Sequence, residues 1–192
     1  LDLRAVALGS DEGARLAGRF GLGLLSFGAA ATTGLARRNA MAETWARVAP
    51  GGERRRRDAA RQGWTVVSPM HLAPTEIEAR RQVRHGLLGY WEQMRAALPL
   101  DLPPMTDVDA IVDALHAAGH AVVGTPAMAV EHLERLIDLS GGFGTFLLEH
   151  GGWATPADGA AGLELFAREV VPRFRAGARA RAAIAASTAS TA

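Results

Sequence analysis

Short apolar runs alternate with amphipathic stretches along the whole chain. Leu3 to Leu8 is one such run; it stops at Gly9-Ser10-Asp11-Glu12-Gly13, and a helical pattern continues from there to Phe20. Leu22–Phe27, Trp64–Ser68 and Phe143–Leu148 are three more. Brief continuous apolarity bounded by turn residues is the pattern of parallel strands buried on both faces. In the first helix Ser10 is the predicted N-cap, with Asp11 and Glu12 in the first turn where the dipole favours acid. Leu16 and Phe20 are predicted inward, Arg15 and Arg19 outward, and Gly21 ends the helix.

The middle of the chain reads as helical with three interruptions. A Gly/Ala/Thr loop leads to a predicted helix from about Leu35 to Val48, broken by Pro50-Gly51-Gly52, and the basic run Arg54–Arg57 reads as a solvated linker. Thr75, with Glu78 three residues on, is a capping box opening a long helix with Val83, Leu87 and Trp91 on its apolar face. Leu98–Met105 is proline-rich and non-helical, and a helix from Asp107 ends at Gly119. Ala121–Gly124 is a connector or edge strand. Thr125-Pro126 caps a helix with Val130, Leu133 and Ile137 inward, and Thr155-Pro156 repeats the device before a stripe of Leu163, Phe166, Ala167, Val170 and Phe174. From Ala176 the Ala/Arg/Ser/Thr composition predicts a frayed or disordered tail.

Strands alternating with helices require a parallel sheet with right-handed crossovers. Four such units make either a small open α/β sheet or half of an eight-stranded barrel, and periodicity does not choose between them.

Composition narrows the function classes. A net charge of +1 gives no reason to expect nucleic acid, and the absence of cysteine excludes disulfides, thiolate catalysis and cysteine-ligated metals. All the basic residues are arginine. No apolar run approaches the roughly 20 residues of a membrane span, and no signal peptide is read, so a cytoplasmic protein without membrane contact is expected. The chain opens at Leu1 inside a strand-like run and reads as cut at the front. His71, His116, His120 and His150 show no metal-binding spacing, and no metal is expected. His71, beside Met70, and His150, beside Glu149, follow the third and fourth apolar runs; a histidine at a strand end can shuttle protons or bind substrate. Trp45, Trp64, Trp91 and Trp153 read as packing residues. Gly9–Gly13, a strand turning at once into a helix, is a ready anion site.

Four blocks carry more than physics alone. Ser10–Gly23 (SDEGARLAGRFGLG), Val123–Pro126 (VGTP), Ser140–Leu148 (SGGFGTFLL) and Glu164–Phe174 (ELFAREVVPRF) resemble, in order, the luciferase-like monooxygenase family of flavin-dependent oxidoreductases. The resemblance covers the family's C-terminal half and implies an α/β fold, about four β/α units of a (β/α)8 TIM barrel, in residues 1–175, with 176–192 as tail. It implies an enzyme that uses reduced FMN and O2 to oxygenate a small organic substrate, with a flavin reductase as the source of reduced flavin and a homo-oligomer at full length. The long capped helix after the third strand is closer to the FMN-using members. The alternatives are an F420-dependent hydride-transfer enzyme of the same family and a non-catalytic flavin-binding half-barrel. Alone, the segment is expected to be inactive, to bind FMN weakly or not at all, and to self-associate.

The resemblance also assigns residues. The Ser10 hydroxyl would bind the flavin phosphate, with Gly9 and Asp11 presenting backbone around it and an arginine from elsewhere meeting the charge. Gly13 stands where relatives often carry Ser or Thr as a second phosphate donor. Phe27 would pack near the isoalloxazine ring with Ser26 beside it, and His71 and His150 are the catalytic candidates. Relatives often have Ala before this last histidine and Asp or Asn after it, where this chain reads Glu149-His150-Gly151-Gly152-Trp153.

Overall fold

A computed structural model describes residues 2–7, 11–27, 31–48, 53–97 and 102–177, without the side chains of 31–35, 45–48 and 53–57. Five strands, all parallel, form one sheet: β1 (Arg4–Ala7), β2 (Gly23–Phe27), β3 (Trp64–Leu72), β4 (Val122–Gly124) and β5 (Thr145–Glu149). The nine-residue β3 is the spine. Its first part pairs with β2 on one side and β5 on the other, and its last three residues, Met70 to Leu72, pair with β4. The four main strands are the predicted ones, and β4 is the short edge strand that Ala121–Gly124 suggested.

Helices fill every crossover. They are α1 (Glu12–Phe20), α2 (Ala31–Val48) and α3 (Glu53–Gln62), then α4 (Glu76–Val83), α5 (Leu87–Ala97) and α6 (Val108–Ala117) between β3 and β4, and finally α7 (Pro126–Ser140) and α8 (Pro156–Leu165), which runs into a π-helical turn at Phe166–Val170. Three caps form as their sequences dictate: Thr75, Thr125 and Thr155 each accept the backbone N–H three residues on. Gly21 closes α1 in the left-handed region at φ 66°. Together the parallel sheet and its helical crossovers make an α/β half-barrel.

One face of the sheet is covered by helices. Leu24, Trp64 and Val66 pack with Ala14 and Ala17 of α1, Met41 of α2 and Leu136 of α7. Further along, Met70, Leu72 and Val122 pack with Ala129, Leu133 and Val170. A separate apolar cluster holds α4, α5 and α6 together around Leu87, Trp91, Ile111 and Trp153. Trp64, Trp91 and Trp153 are thus packing residues as read; the side chain of Trp45 lies outside the described residues.

Five expectations change. In α1 the buried residues are Ala14, Ala17 and Gly18, while Leu16 and Phe20 are exposed. Close approach decides this: a Cβ on Gly18 would lie 2.6 Å from the Met41 carbonyl oxygen, so the small-residue face is the one that reaches α2. The basic run Arg54–Arg57 is part of α3 and not a linker, and α2 begins at Ala31 rather than Leu35. The long helix after Thr75 is two helices. Gly86 breaks it because its N–H donates to the Trp153 carbonyl at 2.8 Å and its backbone passes so close that a Cβ would lie 2.5 Å from the Gly152 oxygen. In α8, Leu163 and Ala167 turn outward. Gly159 and Gly162 face inward instead, and the π-helical turn, wider by one residue per turn, keeps Phe166 and Val170 with the core. Pro50–Gly52, Leu98–Asp101 and most of the predicted tail (178–192) lie outside the described residues.

Candidate functional site at the strand ends

Side chains alternate across a strand, so the face opposite the helix layer is read directly from the register. Leu24 and Ser26 of β2 point to the helices, and Leu25 and Phe27 point away from them. On β3 the set on this opposite face is Thr65, Val67, Pro69 and His71, and on β5 it is Thr145, Leu147 and Glu149. Phe27 lies beside Val67, Val67 beside Leu147, and Pro69 beside Glu149. In a barrel this is the interior face, and the C-terminal strand ends are where such folds keep their chemistry.

The expected residues divide on that geometry. Phe27, at the end of β2, is half-buried on the interior face. Ser26 is fully buried on the other face, where its hydroxyl accepts a 2.8 Å hydrogen bond from the Trp64 indole. It is therefore engaged in the helix layer and turned away from Phe27. Gly9 and Ser10 lie outside the described residues. Asp11 occupies the N-cap position of α1 with helical φ and ψ, and its side chain makes no capping hydrogen bond. Gly13 has a packing reason for lacking a side chain: a Cβ there would lie 2.8 Å from the Val6 carbonyl oxygen, so a Ser or Thr requires α1 to move away from β1.

His71 is buried at the end of β3. Its Nε2 lies 2.7 Å from Gln82 Oε1, and the Gln82 amide N–H donates to Glu78 Oε1 at 3.3 Å. That orientation makes the glutamine oxygen the acceptor, so neutral His71 carries its proton on Nε2 and keeps a lone pair on Nδ1. Burial lowers the His71 pKa, opposed by the Gln82 hydrogen bond; nearby His150 lowers it and Asp158 raises it. The imidazole is thus held toward its basic, uncharged form. His150 is more exposed, and its ring rests against Gly159 of α8. Both histidines line one narrow crevice, with Leu72, Leu148, Gly162 and Phe166. The sequence brought them to neighbouring strand ends, and α8 completes the crevice between them. The crevice has no room for even a water-sized sphere, so these walls do not enclose a flavin ring.

Two side-chain contacts escaped the sequence reading, one at this rim and one away from it. Tyr90 reaches from α5 to Glu149, its hydroxyl donating to Oε1 at 3.4 Å. Burial pushes the Glu149 carboxyl up, with the Tyr90 hydrogen bond pulling the other way, and burial followed by the Glu149 charge pushes the Tyr90 phenol well up. Away from the rim, Ser68 donates to the His120 carbonyl at 3.1 Å and so accepts from His132 Nε2 at 2.9 Å. Among the described residues no group of three or more histidine and carboxylate side chains is placed to hold a metal ion, and no helix is long and apolar enough to cross a membrane.

No family model matches the chain. It is 38% identical over 165 residues to limonene 1,2-monooxygenase of Rhodococcus erythropolis, covering 86% of this chain and 42% of that protein. It is 28% identical over 168 residues to 4-hydroxyprotoasukamycin monooxygenase of Streptomyces nodosus subsp. asukaensis, covering 86% of this chain and 44% of the other. The chain therefore spans less than half the length of these curated relatives. Among solved structures, the oxygenating constituent of 3,6-diketocamphane monooxygenase of Pseudomonas putida, a complex with FMN, superposes with a TM-score of 0.64 at 21% identity over 90% of this chain and 49% of its own. That likeness supports the fold. A named monooxygenase matched over 86% of this chain, together with the half-barrel fold, supports the resemblance to the luciferase-like monooxygenase family.

Proposed function

We propose that this chain is the C-terminal half, residues 1–175, of the barrel of an FMN-dependent monooxygenase that oxygenates a small organic substrate with O2. The observation that carries this reading is the 38% identity to limonene 1,2-monooxygenase across 86% of the chain. The geometry agrees with it. Val6 and Leu147, apolar side chains of the interior face on the outer strands of the main sheet, are 57% and 46% exposed, as expected of a wall that the rest of a barrel would cover.

The N-terminal turn of α1 fits the FMN phosphate. Asp11 leaves the first amides of α1 without a side-chain cap. In this reading Ser10 supplies the hydroxyl donor, with Gly9 and Asp11 shaping the turn. Phe27 flanks the ring from the end of β2. FMN, when bound, supplies the oxygen-transfer chemistry, and the protein positions it and keeps water out. In the same reading His71 is the proton carrier: Gln82 accepts from its Nε2, which leaves Nδ1 to accept a proton or a hydrogen bond from a substrate hydroxyl. His150, at the open side of the same crevice, orients the substrate. O2 and the organic substrate are the small-molecule partners; a flavin reductase and a homo-oligomer belong to the same proposal.

The cofactor separates this reading from hydride transfer by F420. The full-length protein is expected to release FMN on denaturation, identified by spectrum and chromatography. Turnover under isotopically labelled O2 is expected to place one labelled oxygen atom in the product. Released F420, or product without label, contradicts the proposal.

A further inference from the structure

A neutral imidazole can carry its proton on either ring nitrogen, and the hydrogen bond at one of them decides which. For His71, buried at the end of β3, that bond is the 2.7 Å contact between Nε2 and Gln82 Oε1. Gln82 can decide the matter only if its own amide is kept from turning over, because a reversed amide would donate to Nε2 and move the proton to Nδ1. Glu78, one turn earlier on α4, removes that freedom. Its Oε1 accepts the Gln82 side-chain N–H at 3.3 Å, and an ionised carboxylate has no proton to offer a reversed amide oxygen. Imidazole, amide and carboxylate thus form a directed series, with the Arg81 guanidinium 3.9 Å from Glu78 Oε1 at its outer end.

The helix that presents this series is well anchored. Thr75 caps the first turn of α4 by accepting the Glu78 backbone N–H, Ala79 and Val83 are fully buried, and Arg80 donates to Asp113 of α6 at 2.7 Å. Other elements bring charge to His71 as well: His150 follows β5, and Asp158 lies on α8, where the Thr155 hydroxyl donates to it at 2.8 Å. Burial is the largest influence and lowers the His71 pKa, while the Gln82 bond raises it.

We propose that Gln82 and Glu78 are positioning residues that hold His71 with its proton on Nε2 and so reserve Nδ1 as its one basic atom. The inference rests on the reading of His71 as the proton carrier, which gives Nδ1 its task. The test is nitrogen-15 NMR of the histidine rings in the full-length FMN-loaded protein, with the His71 signals assigned from His71→Gln and followed from pH 8 to 5. The wild type is expected to show one neutral form, protonated on Nε2. Gln82→Glu is expected to keep that form and to raise the His71 midpoint by about one pH unit or more, since an adjacent carboxylate favours the imidazolium. Gln82→Leu is expected to lower the midpoint and to show both neutral forms. Glu78→Gln, which lets the Gln82 amide turn, is expected to show both forms as well. Gln82→Glu and Glu78→Gln preserve side-chain shape, so they decide the matter if Gln82→Leu does not fold. A packing role alone predicts lower urea midpoints with the tautomer and the titration unchanged. That result, or a wild-type His71 protonated on Nδ1, overturns the proposal. The pH profile of kcat in the same variants judges the underlying reading separately. Its acid limb is expected to rise with the His71 midpoint in Gln82→Glu; a limb that stays while the NMR midpoint moves removes His71 from proton transfer and leaves its positioning by Gln82 standing.

Discussion

Trp64→Ala is expected to destabilise the protein by about 3–5 kcal/mol, the usual cost of truncating a fully buried aromatic residue. Trp64 is 2% exposed at the start of β3, in the cluster that joins α1, α2, α3 and α7 to the sheet. Phe143 meets its ring edge-on at 6.3 Å, and the Arg38 guanidinium lies 5.7 Å from it. Arg38 in turn donates to the carbonyls of Ser140 and Gly142 at the end of α7. Removal of the indole therefore opens a cavity and loosens the anchor of α7. It also strips the Ser26 hydroxyl of its donor. Ser26→Ala gives the complementary measurement: the buried Trp64 N–H loses its acceptor, at a cost of about 1–3 kcal/mol. Urea titrations of both variants check these values. An unchanged midpoint for Ser26→Ala, together with weakened FMN binding, would restore Ser26 to the flavin site.

The second large effect is acid destabilisation. Burial, then the nearby charges of Arg135 and His116, push His132 down to about 4. Above about pH 6.5, the ordinary histidine value, His132 is neutral both folded and unfolded and adds no pH dependence. Between pH 6.5 and about 4 the unfolded chain takes up a proton that the folded protein refuses, so stability falls as pH falls. Below that range both states are protonated and the loss levels off, at about 3 kcal/mol for this residue. His71, His116 and His120 are shifted down by burial as well and add in the same direction. His132→Gln is expected to flatten much of the slope, since an amide can still donate to Ser68 without titrating. Urea midpoints measured from pH 7.5 to 4 test this. A slope as steep in the variant as in the wild type would place the acid sensitivity elsewhere.

Much of the fold was legible in the chain, and the misses share a cause. Strands and caps were readable because their signals are local: apolar runs ending in turn residues, and threonine followed by proline or by glutamate three residues on. What a single sequence hides is close approach between elements. Gly18 put the small face of α1 inward against α2, although Leu16 and Phe20 have the larger side chains. Gly86 split a helix because of a backbone contact with Gly152 and Trp153, more than sixty residues away. Gly159 and Gly162 selected the inward face of α8 over Leu163. In each case a missing side chain made the contact, and hydrophobic periodicity counts only the side chains that are present.

The site was legible to a different degree. Two histidines at strand ends could be singled out from their place after apolar runs, and the fold lines one crevice with both. A place beside Phe27 could not tell which wall Ser26 joins, because adjacent residues on a strand face opposite ways, and its hydroxyl is engaged by Trp64 in the helix layer. The roles of Tyr90 and Gln82 had no local signal. Both arrive from the α4–α5 insertion and act only through contacts with β3 and β5.

The central claim is that the N-terminal turn of α1 holds a flavin phosphate. Comparing FMN with riboflavin, which lacks that phosphate, in the full-length protein and its Ser10→Ala variant tests it most directly. The wild type is expected to prefer FMN, and Ser10→Ala to weaken FMN binding about 10- to 100-fold, the worth of a hydrogen bond to a charged acceptor, while riboflavin binding stays as it was. If Ser10→Ala leaves FMN affinity unchanged and lowers stability by about 1 kcal/mol, the cost of a lost helix cap, Ser10 is only a cap and the phosphate is held elsewhere.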